Sequence, residues 1–276
     1  MDATIGSGGH SLEILKRIMP GGYLVGLDVD EEALARARER LKPFEGYFKL
    51  YRENYRNLMD IMKQENLKTV DGLLLDLGLS SEQVEDPRRG FSFRRDGPLD
   101  MRYDLRQEEK ALEVINRESK ERLMQIFWDY GEERKAHRIA RLIEERRKIK
   151  PIETTWELTR IAARAKAYEA RIFQALRIYI NKELENLEIA LNVAIRVVSR
   201  EGRIGVISYH SLEDRLVKNF FREKAAEGVL KVITPHPVVP SQEEIKRNRR
   251  SRSAKMRVAE PILERAVPPK GQPNGD

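Results

Sequence analysis

The residues that could do chemistry begin at once. In Asp2-Ala-Thr-Ile-Gly-Ser-Gly-Gly-His-Ser11, three glycines, Gly6, Gly8 and Gly9, fall within four positions after a short apolar run. Glycines let a backbone turn sharply and approach a ligand, and a helix that starts there offers its first N–H groups to an anion. The spacing Gly-x-Gly-Gly is not the Gly-x-Gly-x-x-Gly fingerprint of dinucleotide sites. The stretch Tyr23–Asp28 reads as a buried strand ending in an acid, one helix and one strand after Gly9. An acid there can accept hydrogen bonds from ribose hydroxyls, and Asp28 is assigned that role; Asp30 reads as the cap of the next helix.

The elements that must hold these residues alternate. Met1–Ile5 reads as a first strand and Tyr47–Tyr51 as a third. Val70–Asp76 is a continuous apolar run that ends in an acid and opens into Leu77-Gly-Leu-Ser-Ser81. Such runs suit strands buried on both faces of a parallel sheet, with ligands at the carboxyl ends. From Glu82 to Asp104 periodicity stops, and Pro87, Gly90, Gly97 and Pro98 punctuate a loop rich in Phe and Arg. Phe91 and Phe93 among arginines could stack bases and hold phosphates, or plug a self-packed loop; the two readings balance. Asp96, Asp100 and Asp104 read as ion-pair partners, and no metal site is expected.

Helices are expected at Ala111–Ile115, Lys120–Tyr130, Glu132–Lys148 and Thr155–Ala167, with Trp128, Tyr130 and Trp156 in their core. Arg134, Lys135, Arg138, Arg141, Arg146, Arg147 and Lys148 give one helix a basic face, which is most simply a solvated one. Alternation then resumes with a long helix Ile178–Val198, a strand Arg203–Ser208, the triplet Tyr209-His210-Ser211 and a helix Leu212–Lys224. Late strands follow at Val229–Ile233 and Lys255–Glu260. Between Lys246 and Arg257 stand seven basic residues and no acid, a local phosphate-binding pattern. The tail 265–276 is expected to be disordered.

Composition sets limits. The chain has 276 residues, 35% of them charged, and a net charge of +7, which fits a polyanionic partner. With no cysteine, disulfides, thiolate metal sites and cysteine nucleophiles are excluded. No signal peptide or apolar span for a membrane is found, so a cytoplasmic protein without membrane contact is expected.

The blocks DATIGSGGHS, GLDVDEEAL, LLLDLGLSSEQVEDPRRGFSFRRDGPLDMRYD, FWDYGEERKAHRIAR, FQALRIYINKEL, VISYHSLEDRLVKNFF and RSRSAKMRVAE, in that order, resemble the bacterial 16S rRNA cytosine-N(4)-methyltransferase family, the MraW family. The resemblance implies an α/β fold: a class I S-adenosylmethionine-dependent methyltransferase with a Rossmann-like, mostly parallel sheet and an inserted all-helical domain. The expected domains are a discontinuous methyltransferase domain, 1–104 and 178–264, and a helical insertion, 105–177, that recognises RNA. The implied reaction is methylation of the exocyclic 4-amino group of a cytidine in the decoding region of 16S rRNA, within the small ribosomal subunit, by a monomer or homodimer. Where the family has His-Pro-Ala-Thr-Arg before Thr-Phe-Gln-Ala-Leu, this chain has Ala167-Tyr-Glu-Ala-Arg171; Ser7 stands where a glycine is usual, and a His-x-Pro-Val-Leu block is not in this sequence.

Carried over by motif, cofactor contacts are Gly8, Gly9, His10, Asp28, Tyr55, Asp76 and Gln83; Tyr55 and Gln83 rest on the resemblance alone. An acceptor near the target amine is expected from Asp76, Ser80 or Ser81, with His210 either touching the base or bonding a backbone carbonyl. Arg94, Arg95, Arg102, Arg249, Arg250, Arg252 and Lys255 are assigned to RNA phosphates. Methylation at the cytosine ring carbon usually needs a thiolate, which this chain lacks. The competing readings are a nicotinamide-dependent oxidoreductase, which would prefer the full glycine fingerprint, and a non-catalytic ribosome-binding or assembly factor that retains the methyltransferase fold.

Overall fold

The computed structural model describes residues 1–262, so the tail 265–276 lies outside the described residues. Helix α1 (Gly9–Ile18) leaves the glycine turn and buries Ser11 and Leu15. Strand β1 (Leu24–Asp28) is buried at every residue but its last. Helix α2 (Glu31–Leu41) starts at Asp30, whose side chain accepts from the amides of Glu32 and Ala33. Its acids Glu31 and Glu32 lie in the first turn and Arg38 and Arg40 in the last, the order the helix dipole favours. Strand β2 (Phe48–Arg52) pairs parallel with β1, Leu24 opposite Phe48 and Asp28 opposite Arg52. Helix α3 (Leu58–Gln64) leads to β3 (Val70–Asp76). The expected first strand is shorter than predicted. It makes one parallel bridge, Asp2 to Leu74, with two backbone hydrogen bonds on β3 before the chain turns away.

The aperiodic stretch is a packed loop. Helix α4 (Ser81–Glu85) opens it with a capping box between Ser80 and Gln83. Beyond it the backbone doubles on itself: a Cβ on Gly97 would lie 1.9 Å from the Pro87 carbonyl, and one on Gly90 would lie 2.2 Å from that of Pro98. Only glycine fits either place. Phe91 is buried and Phe93 stands edge-on to Phe173, ring centroids 5.8 Å apart. The plug reading of these two rings is therefore the one the structure takes. Asp100 and Asp104 pair with Arg102 and Arg106, while Asp96 instead accepts from the amides of Gly97 and Trp156.

Helices α5 (Ala111–Arg117), α6 (Lys120–Asp129), α7 (Ala136–Arg147), α8 (Thr155–Ala165) and α9 (Glu169–Asn181) bury one common core. Their inward stripes follow helical spacing: Leu123, Ile126 and Phe127 on α6; Ile139, Ala140 and Ile143 on α7; Leu158, Ile161 and Ala165 on α8. Trp128 and Trp156 were expected in this core and are not. They are 60% and 46% exposed, because each sits one position off its helix's inner stripe. Tyr130 does pack against the core.

The single helix predicted for Ile178–Val198 is two. Lys182 adopts φ 49° as the left-handed cap of α9, and α10 (Glu183–Val197) starts anew. Strand β4 (Val198–Ser208) is longer than predicted, crossing Glu201 at φ 67° with a register shift opposite β3. Helix α11 (Ser211–Ala226), β5 (Leu230–Val232), α12 (Gln242–Arg247) and β6 (Lys255–Pro261) complete the described chain.

Contacts divide the chain into two compact units. One comprises Met1–Thr4, Tyr55–Leu77 and the described residues from Glu188 on, and holds a four-stranded sheet in the order β3-β4-β6-β5. There β3 and β4 are parallel and β6 runs antiparallel to both its neighbours. The other comprises Ile5–Asn54 and Gly78–Leu187, and holds the parallel pair β1-β2, helices α1 and α2, and the helical core of α5 to α9. Parallel strands joined through helices, one antiparallel strand and an all-helical segment make the expected Rossmann-like α/β fold.

Candidate active site

The glycine turn is held from two sides. Gly6 and Gly8 take φ 52° and 81°, and the Gly8 amide donates to the Ile5 carbonyl at 2.8 Å. A Cβ on Gly8 would stand 3.2 Å from Ala37 Cα, so α2 packs against bare backbone there. Gly9 and His10 are exposed at the start of α1, whose first turn carries no acid. A Cβ on Gly9 would stand 3.6 Å from Arg40 Nη1. An open backbone at a helix amino end, with a cation beside it, suits a carboxylate or phosphate.

Asp28 holds that turn. Its Oδ2 accepts from the Gly6 amide and its Oδ1 from the Asp30 amide, both at 2.9 Å. Asp30 does more than cap a helix. Its Oδ2 also accepts from Gln83 Nε2 at 2.8 Å and Arg89 Nη1 at 2.6 Å, and all three side chains are buried. Burial pushes the Asp30 carboxyl up, but the hydrogen bonds from Gln83, Arg89 and the Ala33 amide outweigh it and hold the group below its ordinary value. Arg89 Nη2 in turn donates to the carbonyls of Arg102 and Tyr103. Just before them Met101, fully buried at φ 62°, is pinned by Asn181, whose Nδ2 donates to the Met101 carbonyl while its Oδ1 accepts from the Tyr103 amide.

At the end of β3, Asp76 Oδ1 accepts from the Tyr209 hydroxyl at 3.0 Å, and the Asp76 amide donates to Thr4 Oγ1. Burial first, and the Asp76 charge second, push the Tyr209 phenol far above its ordinary value, so it stays a donor. The sequence profile of the MraW methylase family matches residues 1–262. The chain belongs to the MraW methylase family.

Its relatives agree along nearly the whole length. The "Ribosomal RNA small subunit methyltransferase H" of Carboxydothermus hydrogenoformans is 47% identical, covering 95% of this chain and 91% of that one. The protein of the same name from Halothermothrix orenii is 45% identical over 95% and 92%, and that from Thermomicrobium roseum 44% over 95% and 87%. A solved rRNA methylase from Streptococcus thermophilus is more distant, with TM-score 0.44 and 10% identity over 95% of this chain and 85% of that one.

Within this MraW methylase the residues singled out from sequence fall in separate groups. Gly8, Gly9, His10 and Asp28 gather at the glycine turn. Gln83 is spent inside the protein, its Oε1 on the Ser80 amide and its Nε2 on Asp30. The Ser80 hydroxyl accepts from the Gln83 amide as a helix cap, and Ser81 is exposed beside it. Tyr55 is half-buried at a short turn before α3.

His210 is the cap of α11: Nδ1 accepts from the Glu213 amide at 3.4 Å and Nε2 lies 3.1 Å from Glu213 Oε1. Among the described residues the imidazole accepts from a backbone amide and donates to no backbone carbonyl. Arg94 and Arg95 are exposed, Arg94 over Phe93 and Arg95 donating to the Glu85 carbonyl. Arg102 is enclosed instead: Nε and Nη2 grip Asp100, both at 2.8 Å, and Nη1 donates to the Leu105 and Gln107 carbonyls. Arg249, Arg250 and Arg252 are exposed on a tight turn capped by Asn248. Lys255 and the buried Arg257 both bond Asp214, at 3.2 and 2.7 Å. Burial raises the Asp214 carboxyl, and these two cations more than reverse it. Sequence reading missed Arg89, Asn181 and Tyr209. Arg89 sits in a stretch with no period to read, Asn181 ends a helix whose period says nothing of its polar partners, and nothing marked Tyr209.

Proposed function

We propose that this protein transfers a methyl group from S-adenosylmethionine to the exocyclic 4-amino group of a cytidine in the decoding region of 16S rRNA, within the small ribosomal subunit, in the cytoplasm. The observation that carries this reading is the glycine turn clamped by Asp28, in a chain that matches one rRNA-methylating family from end to end of its described residues. Among the described residues no helix is long and apolar enough to cross a membrane. The methyltransferase domain is assigned to 1–104 and 178–264 and RNA recognition to 105–177, in a monomer or homodimer.

S-adenosylmethionine would supply an electrophilic methyl carried on a sulfonium. The residues fit it: Gly8, Gly9 and His10 lie at an exposed helix start suited to its carboxylate, and Asp28, which holds the Gly6 and Asp30 amides, is assigned to its ribose hydroxyls. Tyr55 and Gln83 complete the assigned contacts, Gln83 by fixing Asp30 and Ser80. Transfer is a direct displacement: the N–C bond forms as the S–C bond breaks, and the amine then loses a proton to water or a weak base. The cytosine amine is conjugated into its ring, so an acceptor on its N–H helps the nitrogen pyramidalise. Asp76 is assigned that task, oriented by the Tyr209 hydroxyl. Ser81 or a backbone carbonyl of the following loop could share it, whereas Ser80 and His210 act as caps. Arg94, Arg95, Arg249, Arg250, Arg252 and Lys255 are assigned to RNA phosphates, and Arg102 to holding its loop.

The test offers unmethylated small subunits and naked 16S rRNA, side by side, with S-adenosylmethionine carrying a radiolabelled methyl. Label in RNA supports methyl transfer, and the faster substrate identifies whether the assembled particle is recognised. Cofactor binding without label in either would favour the non-catalytic assembly factor.

A further inference from the structure

The basic face of α7 divides in two. Its later cations are neutralised: Arg141 lies 3.7 Å from Glu145, Arg146 3.2 Å from Glu157, and Lys148 3.9 Å from Glu144, while Arg147 donates to the Ile115 carbonyl. Its earlier ones are not. Among the described residues Arg134, Lys135 and Arg138 have no acid within ion-pair distance, and folding adds three more such cations from other helices. Lys135 Nζ donates to the Lys166 carbonyl at 2.6 Å, Arg138 Nη2 to that of Arg164 at 3.1 Å, and Arg171 Nη1 to that of Glu132 at 3.1 Å. Six exposed cations thus share one end of the helical bundle. Of the acids there, Glu133 is buried with its oxygens on the amides of Lys135 and Tyr168, and only Glu132 and Glu169 reach solvent.

An aromatic ring stands among them. Tyr168 is 70% exposed, with the Arg171 guanidinium carbon 5.4 Å from its centroid. The exposed Trp128 is close along the chain, its carbonyl accepting from the Glu132 amide. Six cations outnumber the three acids at this end and repel one another, and a large ring in water gains nothing from the core. A single-stranded polyanion with π faces relieves both at once. An acidic protein would answer the charge but has no need of the ring.

We propose that this end of the bundle is an RNA platform, on which a single-stranded segment of the substrate stacks a base on Tyr168 while Arg134, Lys135, Arg138, Arg164 and Lys166 hold its phosphates. The inference rests on the RNA-methylating reading above. Tyr168 lies where this sequence departs from the His-Pro-Ala-Thr-Arg pattern, whereas Arg134, Lys135 and Arg138 lie within a block that resembles the family.

The experiment measures filter binding of a 16S rRNA fragment at several salt concentrations, and the KM for small subunits, in Tyr168→Ala, Tyr168→Phe and the double variant Lys135→Gln/Lys166→Gln. Tyr168→Ala should weaken binding and raise the RNA KM roughly five-fold or more, and Tyr168→Phe should restore both. The double variant should flatten the slope of log affinity against log salt by roughly one to two. Affinity for S-adenosylmethionine and kcat at saturating RNA should stay at wild-type values. Unchanged RNA binding and KM in both Tyr168→Ala and the double variant would overturn the platform and leave the proposed function standing. Tyr168-dependent RNA binding by a wild-type protein that methylates no RNA would support the platform and overturn the proposed function.

Discussion

Arg89 and Asp30, 59 positions apart in sequence, meet at 2.6 Å with their side chains 8% and 4% exposed. The pair joins the helix that follows β1 to the loop that follows β3. A buried ion pair is costly to form and costlier to break, since removing one partner strands the other charge out of water. Arg89→Met should therefore destabilise the protein by about 3–5 kcal/mol, read by urea unfolding. Asp30→Asn/Arg89→Met should recover part of that loss. Strict additivity of the two single changes would contradict the coupling.

Acid should find the same pair. The folded Asp30 carboxyl lies below its unfolded value, so its contribution is fully present above about pH 4, the ordinary aspartate range, and is lost as pH falls through the depressed folded value. Asp214, held down by Arg257 and Lys255, acts in the same direction. Unfolding free energy measured from pH 6 downward should fall more steeply in the wild type than in Asp30→Asn. Parallel curves would show that Asp30 gains nothing from its partners.

At Gly8 a side chain would be strained twice, by φ 81° and by Ala37 Cα at 3.2 Å. Gly8→Ala should cost about 1–2 kcal/mol in backbone strain and displace the start of α1. Titration calorimetry should show weaker S-adenosylmethionine binding, whereas Gly21→Ala, where a Cβ meets nothing within 4 Å, should bind normally. Equal affinities in the two variants would remove the turn from the cofactor site.

His210 separates capping from catalysis. His210→Ala should lose about 1 kcal/mol of stability as α11 loses its cap, and His210→Asn should restore it. Both should turn over. A fully stable His210→Asn that failed to methylate would return the imidazole to the chemistry.

Much of this was readable in advance, for stateable reasons. Strands ending in Asp28 and Asp76 declare themselves because an apolar run with a terminal acid has few other uses, and β1 and β3 end on those residues. Asp28 clamping Gly6 was within reach of the same logic. The tryptophans were misread because hydrophobicity outweighed phase: Trp128 adjoins Phe127 but lies off the Leu123-Ile126-Phe127 stripe. The links Arg89–Asp30 and Asn181–Met101 span 59 and 80 positions and end in an aperiodic loop, where local pattern carries no information about partners. The break at Lys182 was hidden for a related reason, since the residues around it continue a helical period.

The identity of the methylated nucleoside decides whether the assigned reaction is the right one. Small-subunit RNA treated with the protein and S-adenosylmethionine would be digested and analysed by mass spectrometry, beside RNA treated with Asp76→Ala. The wild type should give N(4)-methylcytidine, and Asp76→Ala should give a large loss of it in protein that still folds and binds S-adenosylmethionine. Methyl groups on the cytosine ring carbon or on another base, or undiminished N(4)-methylcytidine from Asp76→Ala, would contradict that assignment.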